Sequence, residues 1–189
     1  MINYSHLAES CKYYSGLGYK RIETPWWVSQ DILDITKPPE AEGRATYFLP
    51  ANKKCLVASG EQSFLYLANK GSLAPGRYFT ITPCFRDEVI TTTHSKYFIK
   101  NELINTEEVN EKTLNAMIVD AYGLFQFLVP NECRLKIVET SLGFDILYDG
   151  IELGSYGIRS CGFLDWIYGT GCAEPRLSRA IALSERNRK

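Results

Sequence analysis

Histidine, net charge and long apolar runs are all scarce in this chain, and each scarcity closes off a class of function. Only His6 and His94 are present, so a His-rich metal site and Ser-His or Cys-His nucleophilic catalysis are poor fits. The 21 Lys and Arg are offset by 22 Asp and Glu, for a formal charge of -1. There is no global basic field, and nucleic acid would have to be gripped by a local patch. No stretch approaches the roughly 20 apolar residues of a membrane span. The opening residues MINYSHLAESCKYY also lack the charged start and apolar run of a secretion signal. A soluble, cytoplasmic protein with no membrane partner is expected. CxxC pairs are missing too: Cys11, Cys55, Cys84, Cys133, Cys161 and Cys172 are scattered, which reads as reduced thiols and not as a disulfide framework.

What is present suits one globular unit. At 189 residues and 45% hydrophobic, the chain can bury one core of ordinary size, and a single domain over 1–189 is expected. Aromatics reach 13% with twelve tyrosines, which fits either a pocket or an adhesive surface.

Local patterns predict a helix over 4–16, with Ser5 as N-cap and Gly16 and Gly18 as breakers, then a strand over 19–23. Residues 37–44, KPPEAEGR, read as a surface loop. A buried strand over 55–58 precedes a short helix over 61–68, and two strands over 78–85 and 98–104 flank a polar, threonine-rich connection. The clearest helix is 107–129, with Leu114, Met117, Ile118, Ala121, Leu124, Phe125 and Leu128 in a stripe at helical spacing. Strand-like pieces follow at 134–139, 144–148 and 151–153, the last two joined by the turn Asp149-Gly150, and a helix over 175–184 closes the pattern. Strands joined mainly by hairpins, with long helices outside the alternation, predict an α+β antiparallel β-sheet flanked by helices.

Three sets of residues can carry chemistry. Arg86, Asp87 and Glu88 end one strand, with His94 and Phe98 leading into the next. An arginine fork can hold a phosphate and an aromatic ring can stack on a base, although a surface ion pair beside a core Phe has the same spelling. Gly169-Thr170-Gly171 precedes Pro175-Arg176, where small residues admit a ligand and a helix start favours anions; a tight turn into a core helix is the plainer reading. Glu61, Glu102, Glu139, Asp145 and Glu152 could hold an ammonium group or, together with phosphate oxygens, magnesium. Glu139 and Asp145 read equally well as solvated rim charges.

In order, these sets resemble the three motifs of class II aminoacyl-tRNA synthetases. Gly18-Tyr19-Lys20-Arg21-Ile22-Glu23-Thr24-Pro25 after its helix is similar to motif 1 (about 4–25). Thr82-Pro83-Cys84-Phe85-Arg86-Asp87-Glu88 with His94 to Phe98 is similar to motif 2 (about 78–104). Gly169-Thr170-Gly171-Cys172-Ala173-Glu174-Pro175-Arg176 is similar to motif 3 (about 169–184). The second and third are worded most like seryl enzymes, whereas the hairpin from Phe144-Asp145 to Gly154-Ser155 looks more like the aspartyl group, so no amino acid is carried over. Ser59-Gly60-Glu61 resembles the amino-acid-binding loop.

The resemblance implies a catalytic core that uses ATP and Mg²⁺ to form an aminoacyl-adenylate, as a homodimer. The acceptor could be tRNA, a carrier protein or a small amine. It implies that Arg86 holds the α-phosphate, Glu88 the adenine amino group, Phe98 the adenine ring, His94 the outer phosphates and Arg176 the γ-phosphate. Glu139 and Glu152 would be the Mg²⁺ ligands, and Ser59, Glu61, Lys100, Glu102 and Ser155 would face the amino acid. Some relatives place zinc on Cys, Glu and Cys, for which Cys55, Glu102 and Cys172 are the residues here, although Cys55 lies several residues from the expected position. The sequence stops just after motif 3 and has only a short start before motif 1, so neither an anticodon-binding domain nor a coiled-coil arm is expected. A non-catalytic paralogue serving as a regulatory or amino-acid-sensing subunit is the alternative.

Overall fold

The computed structural model describes residues 1–37 and 45–186. Almost all of the loop expected over 37–44 lies outside these residues. The first helix, α1 (Tyr4–Gly16), is capped by Asn3 and not by Ser5: the Asn3 side chain accepts from the Ser5 backbone N–H at 3.0 Å. The chain leaves it through Gly18, whose φ of +84° is easily reached without a Cβ. There follow β1 (Lys20–Arg21), β2 (Trp27–Val28), α2 (Gln30–Ile35), β3 (Phe48–Leu49), β4 (Lys54–Leu56) and α3 (Gly60–Asn69). Ser59 and Gln62 form a capping box at the head of α3.

The hairpin β5 (Arg77–Phe85) and β6 (Tyr97–Asn105) leads to α4 (Glu111–Leu128), then β7 (Leu135–Thr140), β8 (Gly143–Tyr148), β9 (Ile151–Cys161), β10 (Leu164–Glu174) and α5 (Arg176–Arg186). Helix α4 starts later than its acidic run suggests, because Asn110 and Thr113 supply the reciprocal cap. Asp149-Gly150 makes the expected β8–β9 turn, both residues at positive φ. No helix among the described residues is long and apolar enough to cross a membrane.

The main sheet has seven strands in the order β1-β5-β6-β10-β9-β8-β7, antiparallel except where β1 runs parallel to β5; a second sheet holds β2-β4-β3. The α+β expectation therefore holds. Its main omission is β10, which runs through the middle of the sheet where the glycines had suggested a turn. Gly169 and Gly171 are small because neighbours crowd them: an added Cβ would lie 2.7 Å from the Met117 sulfur at Gly169 and 2.8 Å from the Tyr14 ring at Gly171.

Alternation along the strands sends successive residues to opposite faces. Phe79, Leu103 and Ile167 pack with α1, α4 and α5, while Tyr78, Ile104 and Trp166 pack with α2, α3 and the small sheet. The second face is only partly covered, and most of the candidate site residues emerge there. A bulge in β10 resets the alternation, since Thr170 pairs with Glu102 but Cys172 pairs with Asn101. Thr170 and Ala173 thus line the open face, whereas Cys172 packs into the helical core.

Candidate active site

The open part of the second face is a cleft of about 310 Å³. Its floor is the central sheet, and α3, the end of β5 and the segment around Tyr47 form its walls.

Arg86, just beyond β5, has its Nε pinned by the Ala58 carbonyl at 2.9 Å, and its guanidinium carbon lies 5.0 Å from the Phe98 ring centroid. Both residues line the cleft. Among the described residues Arg86 has no carboxylate partner, unlike the other two arginines lining the cleft: Arg159 pairs with Glu61 and Arg176 with Glu152, each at 2.7 Å. An oriented guanidinium without a counter-ion is a ready anion site. Glu88 lines a small annexe of the cleft together with Phe98 and Arg176. His94 folds back on its own loop, its Nδ1 2.9 Å from the Thr91 hydroxyl, and does not line the cleft.

The acidic residues sort themselves by strand phase. Asp145 pairs with Ser155, which lines the cleft, so the Asp145 side chain shares that face. Glu139 is opposite Phe144, one residue out of phase, and Phe144 packs against the helical core. The period of two therefore turns the exposed Glu139 away from the cleft, which corrects its expected role as a metal ligand. Asp145, and not Glu139, shares the cleft face with Glu152. Burial raises the Asp145 carboxyl above the ordinary carboxylate range, the Glu152 charge adds to the effect, and the Ser155 hydrogen bond and Arg176 oppose it.

Deeper in the cleft lie four alternating charges. Glu102, fully buried, accepts a short hydrogen bond from the Ser59 hydroxyl, and the Lys100 ammonium approaches its other oxygen at 2.7 Å, off the line of a hydrogen bond. Glu61, 4% exposed, accepts from Arg159 Nη1 and from Trp166 Nε1, both at 2.7 Å. Burial raises the Glu61 carboxyl, Arg159 pulls it back, and the nearby Glu102 charge raises it again. The Arg159 guanidinium lies 4.1 Å from the Tyr168 ring centroid. Ser59, Glu61, Lys100 and Ser155 thus come together in one cleft, with Glu102 beneath them. Arg159 had not been singled out from the sequence. It lies four residues beyond Ser155 on β9, on the same face, and was hidden because the sequence pattern ended that strand too early.

The zinc arrangement does not form. Cys55 lies in the core under the small sheet, bonding Gln30 Oε1 at 3.0 Å, and Cys172 is in the opposite core. The described residues contain no cluster of three or more His, Cys, Asp or Glu able to hold a metal ion.

No protein-family model matches the chain, and no curated protein matches it. Solved structures do. Pyrrolysyl-tRNA synthetase from Desulfitobacterium hafniense superimposes with a TM-score of 0.69 at 19% identity, over 96% of this chain and 69% of its own. Cytoplasmic serine-tRNA ligase from Naegleria fowleri, in complex with AMP, gives 0.73 at 17% identity over 93% of this chain. Seryl-tRNA synthetase from Pyrococcus horikoshii, complexed with ATP, gives 0.72 at 18% identity over 91% of this chain. The chain spans 46% and 48% of these two seryl proteins. With its sheet order, flanking helices and cleft, the chain has the fold of class II aminoacyl-tRNA synthetase catalytic domains.

Proposed function

We propose that this chain activates an amino acid with ATP, forming an aminoacyl-adenylate and releasing pyrophosphate. The observation that carries this reading is Arg86: a pinned guanidinium with no carboxylate partner among the described residues, at the wall of a cleft whose other lining arginines are already neutralised by carboxylates. In the reaction a carboxylate oxygen attacks the α-phosphorus, the new O–P bond forms as the bond to the bridging oxygen of pyrophosphate breaks, and negative charge builds on the phosphoryl oxygens. Arg86 holds that charge, and catalysis is orientation plus neutralisation with no general base required. Phe98 offers its ring to adenine, Glu88 in the annexe its carboxylate to the base's amino group, and Arg176 its cation to the terminal phosphate.

Asp145 and Glu152 suit Mg²⁺. They are hard oxygen donors on one face, and the Glu152 charge disfavours ionisation of Asp145, a repulsion that a divalent cation relieves. When bound there, Mg²⁺ would supply charge neutralisation to the phosphates. Ser59, Glu61, Lys100 and Ser155 are the amino-acid end of the cleft, with Arg159 added to them. The acyl acceptor could be tRNA, a carrier protein or a small amine.

Pyrophosphate exchange into ATP, run across the twenty amino acids, tests the proposal. Exchange that depends on one amino acid or a few related ones is expected. Exchange no higher with any of them than without would overturn it.

A further inference from the structure

Glu174 is the last residue of β10 and the only acid in a segment of otherwise small or apolar residues leading into α5. It is fully buried, yet it lies on the face away from the cleft. Three donors from two helices converge on its carboxylate. His6 Nδ1 lies 2.6 Å from Oε1, the Ser178 hydroxyl donates to the same oxygen at 3.0 Å, and the Asn3 backbone N–H reaches Oε2 at 3.4 Å. The histidine tautomer follows from its other contact. Asn3 Nδ2 lies 3.1 Å from His6 Nε2; an amide nitrogen can only donate, so Nε2 accepts and Nδ1 carries the proton given to Glu174.

A carboxylate taken wholly out of water must keep its partners, so its position reports theirs. Here the partners are the N-terminus of α1 and the first turn of α5. That first turn carries Arg176, bonded to Glu152, and Arg179, whose Nη1 donates to Ser95 in the loop after β5 at 2.8 Å. The body of α5 is held separately, through Ile181 packed against the core and the buried Ser184, whose hydroxyl accepts from Arg134 Nη1 at 3.2 Å. Losing the His6 contact should leave the helix docked and loosen only its start.

We propose that His6, acting through Glu174, is a positioning residue that sets Arg176 against the outer phosphates of ATP. The inference rests on the amino-acid-activating reading above. It predicts a selective effect: the terminal-phosphate contact depends on His6, and the amino-acid end of the cleft does not.

The test compares wild type, His6→Ala and His6→Asn in pyrophosphate exchange, with Ser178→Ala as a milder variant that keeps α1 intact. His6→Asn is the conservative control, because an Asn amide nitrogen can stand where Nδ1 stands. His6→Ala should raise the KM for ATP by ~10-fold or more with the amino-acid KM unchanged, since a small displacement of a positioning group is amplified in this way. His6→Asn should restore most of the ATP affinity, and Ser178→Ala should move in the same direction as His6→Ala by less.

Hydrogen exchange, run without substrates, separates this proposal from the parent reading. The amides of 176–180 should exchange faster in His6→Ala than in wild type or His6→Asn, with those of 181–186 unchanged. No exchange into ATP by wild type would sink the activating function even if the amide pattern appeared. A wild type that exchanges, with ATP and amino-acid KM values rising together in His6→Ala, would overturn the positioning role alone. So would an unchanged ATP KM in folded His6→Ala, or in folded Ser178→Ala should His6→Ala fail to fold.

Discussion

Arg159 Nη1 on β9 meets Glu61 Oε2 on α3 at 2.7 Å, while Trp166 Nε1 holds the other Glu61 oxygen. The pair ties the wall of the cleft to its floor. Replacing Arg159 by Ala leaves a buried carboxylate with one neutral donor and removes the guanidinium from the Tyr168 ring. A loss of about 3 kcal/mol is expected, at the low end for a broken buried pair because Arg159 is partly exposed. Glu61→Gln should cost less. The pH dependence has a definite sign: burial raises the Glu61 carboxyl above its unfolded value, so its contribution is full below the ordinary carboxylate range and lost as pH rises through the folded value. In urea titrations across pH, the stability of wild type relative to Glu61→Gln should therefore fall from about pH 4 upward and then level off. A difference that grows with pH would show that Arg159 outweighs burial.

Arg86→Ala removes the cation that has no carboxylate partner among the described residues. A loss of ~2.7 to 4 kcal/mol of transition-state stabilisation, a hundredfold or more in adenylate formation, is expected at unchanged melting temperature. Arg176→Ala should act chiefly on ATP binding, and it also frees Glu152 from its 2.7 Å partner. Wild-type exchange rates in Arg86→Ala would remove the central support for the proposed chemistry.

Much of this was legible in the sequence and some was not, for reasons that can be named. Helix α4 was readable because seven apolar residues recur at helical spacing, and the β8–β9 hairpin because Asp149-Gly150 is a strong turn pair. Strand β10 was misread because glycine signals both a turn and a crowded strand, and the Tyr14, Met117 and Tyr156 side chains that demand it come from elsewhere in the chain. Arg86, Phe98 and Arg176, singled out because they sit at the ends of elements in a recognisable order, all line the cleft. That Asp145 and not Glu139 faces the cleft could not be read, because it depends on the strand's phase, which the residue pattern alone does not supply. Cys172 looked available for the same reason: one bulge after Thr170 turns it from the cleft to the core.

Mg²⁺ dependence separates the two candidate carboxylates. Asp145→Asn should raise the Mg²⁺ concentration needed for half-maximal exchange by ~10-fold or more, as loss of a charged ligand or close neighbour does in metal sites. Glu139→Gln should leave it unchanged. Because burial and Glu152 raise the Asp145 carboxyl, the ionised form gains as pH rises above the usual carboxylate range, so the wild-type Mg²⁺ requirement should ease as acid solutions are brought toward neutrality. An equal effect from Glu139→Gln would restore the earlier assignment.

A homodimer is expected through the motif 1 region, where Tyr4 and Trp26 are 66% and 56% exposed. Trp27 is less available, since it packs edge-on to Tyr66 with Lys54 Nζ 5.7 Å from its ring centroid. Light scattering should give twice the 21.5 kDa chain mass, and Trp26→Glu should shift the protein toward monomer. A wild type that is monomeric at working concentration would contradict the interface.

The last prediction concerns nucleic acid: this chain by itself should bind tRNA weakly, even where it makes the adenylate readily. Tight binding draws much of its free energy from cations that release counter-ions from phosphates. The 21 basic residues are matched by 22 acidic ones, and the structure spends many of the cations internally. Lys12, Arg21, Arg77, Lys96, Lys100, Arg134, Arg159 and Arg176 each contact a carboxylate. Lys54 and Lys70 lie against the Tyr66 ring, at 5.6 and 5.9 Å. That small aromatic and basic patch could hold one or two phosphates, so the slope of log K against log salt should be shallow, about -2 or flatter, with dissociation constants above the micromolar range at physiological salt. A salt series with total tRNA measures both quantities. Submicromolar binding with a steep slope would mean that the cations are redeployed on contact, and would favour tRNA over a carrier protein or a small amine as the acceptor.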